Sequence, residues 1–416
     1  MVYKKIPIKS EKPLSSPMEG PNIAGILFLK NQVKPVNPFE WYSSKIAGVP
    51  FILRNLLTFQ RSGLNTLAVF MEDPNGDLQN SFKKILKDHR LSQDIIWLGN
   101  FNQLKKWIQN NPDPVYIMNG SVLHDKKELY QIIHSKTQNG NDSVFSLRPE
   151  NLQYLLSNDP ENSIFEILSG SKQAGLPVYI SGSKNMEITK LDDFKILHKA
   201  QVKGSGLHHD SPITRILSRP ASRLLTRMFL NTPISPNQIT LISFFFGLMS
   251  AFLFFQGNYE SSLIASGLLV LSTWIDGADG EIARLKFMES DIGKKLDIYC
   301  DNIIHFLVFT AIGCGCYFKS GETLFLYLGG LAGLGGLLSF LLLSPVLLEK
   351  RSPRKQLFHV SEPELAEKFA NRDFIHFLLL VSLIDQLEIF IAVAAVGANI
   401  FAGYLVYSRF YKLKTA

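Results

Sequence analysis

The stretch WIDGADGEIARLKFMESDIGKKLDIYCDN, residues 274–302, decides the fold of the second half of the chain. Apolar runs precede and follow it, so it lies where one membrane-spanning helix ends and the next begins. Four aspartates, Asp276, Asp279, Asp297 and Asp301, are therefore expected at the membrane ends of two adjacent helices. Carboxylates so close to hydrocarbon are costly, and they indicate a functional site.

The spacing of these aspartates predicts a metal site. Asp276 and Asp279 share one helix face at i, i+3, and Asp297 and Asp301 share another at i, i+4. A turn around Gly293 would fold the two helices antiparallel, so that the two faces oppose each other. Converging carboxylates repel one another unless cations neutralise them. Hard oxygen ligands with this much charge suit Mg²⁺ or Mn²⁺, and a pair of ions would fit.

Small residues and an arginine accompany the first acidic pair. Gly280 and Ala283 lie on the face of Asp276 and Asp279, where small side chains allow a flat ligand to approach closely. Arg284 follows Gly280 by one turn and can meet a phosphate. Acids for metal, small residues for a nucleotide and an arginine for phosphate together predict a pyrophosphate-binding site.

The complete pattern D-x2-D-G-x2-A-R-x8-G-x3-D-x3-D resembles the signature of the CDP-alcohol phosphotransferases. The resemblance covers roughly residues 211–416 and includes TPISPNQIT, which is similar to the start of the family's first spanning helix. The fixed positions of the pattern are Asp276, Asp279, Gly280, Ala283, Arg284, Gly293, Asp297 and Asp301.

This resemblance implies a reaction in which a CDP-linked donor gives its substituted phosphate to an acceptor alcohol and CMP leaves. It implies two metal ions on Asp276, Asp279 and Asp297, and a general base at Asp301 that also touches a metal. It further implies a homodimer. The nucleotide contacts implied by the resemblance are Asp276, Asp279, Gly280, Ala283, Arg284, Gly293, Asn237 and Thr240.

Outside this stretch, composition separates the chain into two halves. Apolar residues make up 46% and charged residues 19% of the 416 residues, and uncharged runs occur at 228–259, 323–348 and 389–408. These runs approach or exceed the ~20 residues that a spanning helix needs, which excludes a single soluble globule. An all-α domain at 232–416 is predicted, with six spans at 237–256, 261–286, 296–318, 323–346, 370–386 and 389–408.

Charge and cysteine content narrow the functional classes. The net charge of +7 is not carried by a dense basic block, so nucleic acid is not an expected partner. Cys300, Cys314 and Cys316 lie in apolar stretches, which argues against a disulfide framework. The glycine-rich stretch 329–336 predicts close helix packing in the fourth span.

Residues 211–231 predict an amphipathic juxtamembrane helix along the membrane surface, which Pro220 would kink. Six spans put both termini on one side, and the flanking cations place that side in the cytoplasm. The first residues lack the apolar run of a signal peptide, so a multi-pass protein of the cytoplasmic (inner) membrane is expected. The helix face expected to meet lipid phosphates carries arginines at four-residue spacing: Arg215, Arg219, Arg223 and Arg227.

Residues 21–202 predict an α/β domain between a polar tail at 1–20 and a linker at 203–210. Short apolar runs alternate with amphipathic stretches, which is typical of a mainly parallel, doubly wound (Rossmann-like) sheet. Predicted strands cover 22–29, 66–72, 94–99, 115–120, 143–147 and 176–181, and predicted helices cover 50–63, 78–90, 101–110 and 126–135.

The start of this domain is AGILFLKNQVKPV at 24–36, followed by GVPFILRNLLTFQRSGLNTLAVF at 48–70, and it resembles the start of a sugar-nucleotidyltransferase domain. Bifunctional inositol-phosphate cytidylyltransferase/di-inositol-phosphate-phosphate synthases join such a domain to a membrane domain of this kind. The family's Gly-rich loop should follow the first strand, yet residues 28–33 contain no glycine to cradle phosphates. Ser121 stands where an aspartate would follow Asn119 and Gly120, with Asp125 as the alternative carboxylate. We predict a degenerate nucleotidyltransferase-like domain. The alternative is a bifunctional enzyme that also makes the CDP-alcohol from CTP.

The leading hypothesis is therefore a metal-dependent membrane transferase acting on a CDP-alcohol donor and an alcohol or phosphorylated polyol. Phospholipid synthesis from CDP-diacylglycerol is the alternative among enzymes. Rivals from other classes are a metal-ion transporter and a membrane scaffold. A transporter would need acids at mid-depth in several spans, and a scaffold leaves the acidic motif unexplained.

Overall fold

A computed structural model describes residues 23–29, 36–111, 115–134, 145–147, 188–205, 214–348 and 374–415. The chain divides into two compact units, Met1–Lys199 and Ala200–Ala416.

The N-terminal unit contains a five-stranded sheet in the order β5-β4-β1-β6-β7. β1, β4, β5 and β6 run parallel, and β7 pairs with β6 antiparallel. The predicted mainly parallel sheet is confirmed, and the predicted strand at 176–181 lies outside the described residues. The strands are β1 Ala24–Phe28, β4 Thr66–Phe70, β5 Ile96–Leu98, β6 Val115–Asn119 and β7 Phe145–Leu147.

Helices cover both faces of this sheet, which explains its near-continuous apolar strands. All five residues of β1 are buried. Leu27 belongs to the cluster on one face, whereas Ile26 and Phe28 belong to the cluster on the other. Alternating residues of one strand thus enter two separate cores, as expected for a sheet between two helical layers.

The four predicted helices form, and two helices and a hairpin were missed. The missed elements are a short helix and the hairpin that follows it, both before residue 51, and a helix that extends into the predicted linker. Asn37 caps the short helix, since its side chain accepts a hydrogen bond from the Phe39 amide at 2.9 Å. The helices are α1 Pro38–Ser43, α2 Phe51–Arg61, α3 Asp77–Leu86, α4 Phe101–Gln109, α5 Lys126–His134 and α6 Leu191–Lys203, and the hairpin pairs β2 Lys45–Ile46 with β3 Val49–Pro50.

The C-terminal unit is helical in every described element. Five of its helices are long and apolar enough to cross a membrane. The predicted fifth span, 370–386, corresponds instead to a helix of ten described residues that ends before Asp385. The helices are α7 Arg219–Leu230, α8 Pro236–Phe255, α9 Tyr259–Lys286, α10 Asp291–Ser320, α11 Leu324–Leu347, α12 Phe374–Leu383 and α13 Leu387–Thr415.

The juxtamembrane segment differs from one continuous helix. Residues Thr214–Ser218 form a π-helical turn, and α7 begins at Arg219 with Pro220 in its first turn. Proline has no backbone N–H and interrupts the α-helical i→i−4 bonding of the turn before it. Pro220 therefore lies where the π-helical turn passes directly into α7.

Glycines let the spans approach closely, as the glycine-rich stretch 329–336 predicts. A Cβ added at Gly329 would lie 2.8 Å from the Gly313 Cα, so α11 and α10 meet backbone to backbone. Gly335 makes a similar approach to Ala398 of α13, where an added Cβ would lie 3.0 Å from the Ala398 carbonyl carbon. These contacts hold α10, α11 and α13 together by close packing.

Candidate active site

Three of the four aspartates converge between α9 and α10. Asp276 and Asp279 on α9 and Asp297 on α10 each offer one carboxylate oxygen, and these oxygens lie within 4.8 Å of one another. Asp276 and Asp279 are buried, with 8% and 7% exposure, and Asp297 is half-buried. Three hard, anionic oxygen donors at this spacing fit a divalent cation such as Mg²⁺ or Mn²⁺.

A tight turn brings the two acidic faces together. α9 ends at Lys286, and Phe287 adopts a left-handed conformation with φ 57° that reverses the chain. α10 then starts after Ser290, whose hydroxyl accepts a hydrogen bond from the Gly293 amide at 3.0 Å. The turn therefore lies at 287–290, and the prediction that it surrounds Gly293 was wrong by one helical turn.

Gly293 serves instead as a contact surface for α8. A Cβ at this position would lie 2.7 Å from the Asn237 Oδ1 and 3.0 Å from the Ser290 Oγ. Asn237, in the first turn of α8, thus packs directly on the first turn of α10. Both residues were predicted to contact the nucleotide, and the structure brings them together one turn before Asp297.

Thr240 contacts a carboxylate of the cluster. Its hydroxyl is buried and donates a hydrogen bond to the Asp279 Oδ2. A hydroxyl donor fixes the orientation of the carboxylate that it bonds. Thr240 was predicted as a nucleotide contact, and the structure places it behind Asp279.

Arg284 lies over the small residue that precedes it by one turn. A Cβ at Gly280 would lie 3.2 Å from the Arg284 Nη1. The Nε and Nη2 atoms of Arg284 both donate to the Ser205 carbonyl oxygen, at 3.1 and 2.9 Å. Ala283, the other predicted small residue, is half-buried. The contact of Arg284 with a backbone carbonyl was not predicted.

Asp301 does not belong to the three-carboxylate cluster. It follows Asp297 by four residues on α10 and is half-buried. Its predicted place on the Asp297 face follows from helix periodicity alone. Its role as a general base stays a prediction.

Sequence reasoning missed a buried acid beside the cluster. Glu281 of α9 has no solvent exposure, and its carboxylate accepts hydrogen bonds from the Arg219 Nη1 at 2.8 Å, the Ser222 Oγ at 3.0 Å and the Thr226 Oγ1 at 2.8 Å. The expectation that Arg219 meets lipid phosphates was therefore wrong, because its charge is paired inside the protein. The available signal was Ser222 and Thr226, polar residues that share one face of α7 with Arg219.

The loop after β6 offers little to a metal ion in the N-terminal unit. Ser121 is 6% exposed and its amide donates to the Asn119 Oδ1 at 2.8 Å. The Asp125 Oδ1 accepts hydrogen bonds from the amides of Lys127 and Glu128 at 2.9 and 3.0 Å, so it caps α5. Residues 30–33 of the glycine-free loop lie outside the described residues.

A buried histidine follows in the same loop. Burial lowers the pKa of His124 to about 4, and its hydrogen bond to the Asn119 carbonyl at 2.9 Å opposes this only in part. The imidazole is therefore neutral near pH 7.

Comparison with known proteins finds a family to which the segment around the site is similar. Residues 233–398 match the family model described as CDP-alcohol phosphatidyltransferase, and this range contains all eight fixed positions of the acidic motif. The resemblance to this family is thereby confirmed for this part of the chain.

Several relatives carry the name "Bifunctional IPC transferase and DIPP synthase". The protein of this name from Archaeoglobus fulgidus is 37% identical over 146 residues, which is 34% of this chain and 28% of that protein. The one from Aquifex aeolicus is 31% identical over 147 residues, 34% of this chain and 32% of that protein. The one from Rubrobacter xylanophilus is 27% identical over 136 residues, 33% of this chain and 30% of that protein. The matches thus span about a third of these relatives.

Proposed function

We propose that this chain is an integral membrane CDP-alcohol phosphotransferase that moves a substituted phosphate from a CDP-linked donor to an acceptor alcohol and releases CMP. The observation that carries the proposal is the convergence of Asp276, Asp279 and Asp297 inside the segment that matches the family. Three aspartates at the ends of two spans are costly in a membrane protein, and a metal-dependent reaction on a pyrophosphate accounts for that cost.

The metal would be held by Asp276, Asp279 and Asp297, with Thr240 fixing the orientation of the Asp279 carboxylate. Bound divalent ions, Mg²⁺ or Mn²⁺ and two per site in our proposal, would neutralise the charge that develops on the donor pyrophosphate. Gly280 and Ala283 leave room beside the acids for the nucleotide. Arg284 would contact a donor phosphate, since its guanidinium lies over Gly280.

Asp301 is the proposed general base. Its carboxylate would take the proton from the acceptor hydroxyl while that oxygen forms a bond to the donor phosphorus. The bond between this phosphorus and the bridging oxygen breaks at the same centre, and CMP leaves with the electron pair. A position outside the three-carboxylate cluster suits this role, because a base needs an oxygen lone pair that no metal ion occupies.

For the substrates, we propose an alcohol or a phosphorylated polyol as acceptor and a CDP-polyol or CDP-diacylglycerol as donor. The family match supports a CDP-alcohol donor and an alcohol acceptor, and the names of the relatives describe a transferase and a synthase. A metal-ion transporter is disfavoured, because α8 and α11 contain no acidic residue. A homodimer stays a prediction carried by the family resemblance.

The N-terminal unit is proposed to be a nucleotidyltransferase-like domain without nucleotidyl transfer. Burial of Ser121 and the role of the Asp125 Oδ1 in capping α5 support this, because the first is a neutral hydroxyl and the second is held by two backbone amides. It would stabilise or position the enzyme. The bifunctional alternative requires a carboxylate that reaches the α-phosphate.

We also propose that both termini lie in the cytoplasm and that α7 lies along the membrane surface. The exposed apolar side chains of Leu224 and Met228, 58% and 62% exposed, support an interfacial position for α7. A reporter fused after Ala416 should be active on the cytoplasmic side. Activity only on the outer side would require an odd number of spans and would remove α12 from the count.

CMP release by the purified full chain in detergent tests the proposed reaction. With Mg²⁺ and a panel of CDP-alcohols and acceptors, mass spectrometry should find one phosphodiester product together with CMP. EDTA should abolish the reaction, and Mg²⁺ or Mn²⁺ should restore it. Asp279→Asn should be inactive, whereas Asp385→Asn, at the other end of the spans, should be active. Full turnover in excess chelator would refute the metal-dependent mechanism.

A further inference from the structure

The buried acid that sequence reasoning missed lies two residues from a carboxylate of the cluster. We propose that Glu281 is a positioning residue: its bonds to α7 fix the rotation of α9 and thereby hold Asp276 and Asp279 in the orientation that a divalent metal requires. The inference deepens the proposed function and rests on it for the identity of the metal site.

Both oxygens of Glu281 are engaged by one face of α7. The Oε1 atom accepts from Arg219 and Ser222, and the Oε2 atom accepts from Thr226. The ion pair is shielded from water, with side-chain exposures of 9% for Arg219 and 0% for Glu281. Burying such a pair brings little net stability, and its best-attested use is to specify one arrangement of helices.

A second contact beside Glu281 reinforces this arrangement. Gly277, one turn earlier on α9, lies against Ser222 so closely that an added Cβ would be 3.3 Å from the Ser222 Cβ. Helix α7 thus meets α9 at two positions one turn apart. Since residues advance by about 100° around a helix, this face lies roughly 150° from that of Asp276 and Asp279. Contacts of α7 with the face of Gly277 and Glu281 therefore set the direction in which the face of Asp276 and Asp279 points.

The direction of the aspartate face matters because a bound metal ion tolerates little displacement of its ligand atoms. A carboxylate oxygen of Asp276 lies about 6 Å from the helix axis if its side chain extends beyond the ~2.3 Å Cα radius. A rotation of about 10° would then move the oxygen by about 1 Å. Mg²⁺ demands near-ideal octahedral geometry at ~2.0–2.1 Å, so such a shift weakens binding before it disrupts the helices.

Direct Mn²⁺ binding to the purified full chain, followed by electron paramagnetic resonance without substrate, tests the inference. Glu281→Ala, which removes all three bonds, should raise the Mn²⁺ dissociation constant about 10-fold or more. The Mn²⁺ concentration for half-maximal CMP release should rise in parallel, and kcat at saturating Mn²⁺ should change much less.

Arg219→Met separates positioning from simple electrostatics. Removing a nearby positive charge would tighten Mn²⁺ binding if charge alone mattered, whereas loss of the helix contact should weaken it. Asp385→Asn is the matched control, because it breaks the 2.8 Å Lys319–Asp385 ion pair near the far end of α10. Lys319 is 22 residues from Asp297, about 33 Å along the helix. This control should leave Mn²⁺ affinity unchanged.

The outcomes are distinguishable. The inference would be overturned if folded Glu281→Ala and Arg219→Met bound Mn²⁺ with wild-type affinity, even if their thermal stability were lower. Tighter Mn²⁺ binding by Arg219→Met would also overturn it. If these variants fail to fold, Thr226→Val, which removes one bond, should still weaken Mn²⁺ binding measurably, and unchanged binding would overturn the inference. If the wild type binds Mn²⁺ but releases no CMP, the proposed reaction fails while the Mn²⁺ affinities still decide the role of Glu281. A wild type that binds no Mn²⁺ would refute both.

Discussion

Replacing Gly293 by alanine should impair the metal site more than it impairs the fold. The added Cβ would lie 2.7 Å from the Asn237 Oδ1 and 3.0 Å from the Ser290 Oγ, where ordinary contacts begin at 3.4 Å. Either the ends of the Asn237 and Ser290 side chains must turn away, or the first turns of α8 and α10 must separate by about half an ångström. Overpacking of this size costs about 1–3 kcal/mol. Alanine regains up to about 1 kcal/mol because it favours the helix more than glycine does.

The same separation acts on the carboxylates. Asp297 follows Gly293 by four residues, and Thr240, which holds Asp279, follows Asn237 by three. A separation of α8 from α10 would therefore move Asp279 and Asp297 apart. We expect the Mn²⁺ concentration for half-maximal CMP release to rise about 10-fold or more, the size of effect seen when groups supporting metal ligands are disturbed.

Metal titrations of CMP release and thermal unfolding, measured on the same preparation, check this prediction. Gly267→Ala is the matched control, because it makes the same substitution in α9 at a glycine with no atom within 4 Å of the added Cβ. It should leave the metal dependence unchanged. Wild-type metal dependence in a folded Gly293→Ala protein would refute the reasoning. So would an equal change in the control.

Three further outcomes are expected. Asp301→Asn should bind donor nearly as the wild type does but lose most turnover, whereas Asp276→Asn should weaken metal and donor binding. If both variants lost donor affinity equally and Asp301→Asn kept its turnover, the assignment of the base would be wrong. The pKa of His124 is about 4 in the folded protein against an ordinary value of 6.5. As the pH falls, the imidazole is therefore protonated in the unfolded chain before it is protonated in the folded protein. Stability of the N-terminal unit, followed by tryptophan fluorescence in urea, should thus fall by roughly 3 kcal/mol from pH 6.5 to pH 4, and His124→Phe should remove this dependence. Full-length Asp301→Asn given CTP and a phosphorylated polyol should release no pyrophosphate; release that is lost on adding Asp125→Ala would establish a bifunctional enzyme.

The predictable features were those encoded by local pattern. Buried parallel strands are short continuous apolar runs, so β1, β4 and β6 could be located to within two residues at each end. The convergence of Asp276, Asp279 and Asp297 was predictable because helix periodicity and a short turn leave few arrangements.

The missed features depend on contacts between residues distant in sequence. Arg219 and Glu281 are separated by 62 positions, and the spacing of arginines around Arg219 equally fits a lipid-facing stripe. Only the packing of α7 on α9 selects the buried pair. The partner of Arg284 was equally hidden, because a backbone carbonyl such as that of Ser205 carries no signature in the sequence.

That main-chain partner has a consequence for how this protein can diverge. The Arg284 guanidinium bonds a main-chain carbonyl oxygen and does not depend on the side chain at position 205, so substitutions there can accumulate without loss of these hydrogen bonds. An insertion or deletion next to Ser205 would instead bring a different carbonyl, or none, under Arg284. The number of residues at this point, rather than their composition, is the property that selection can act on.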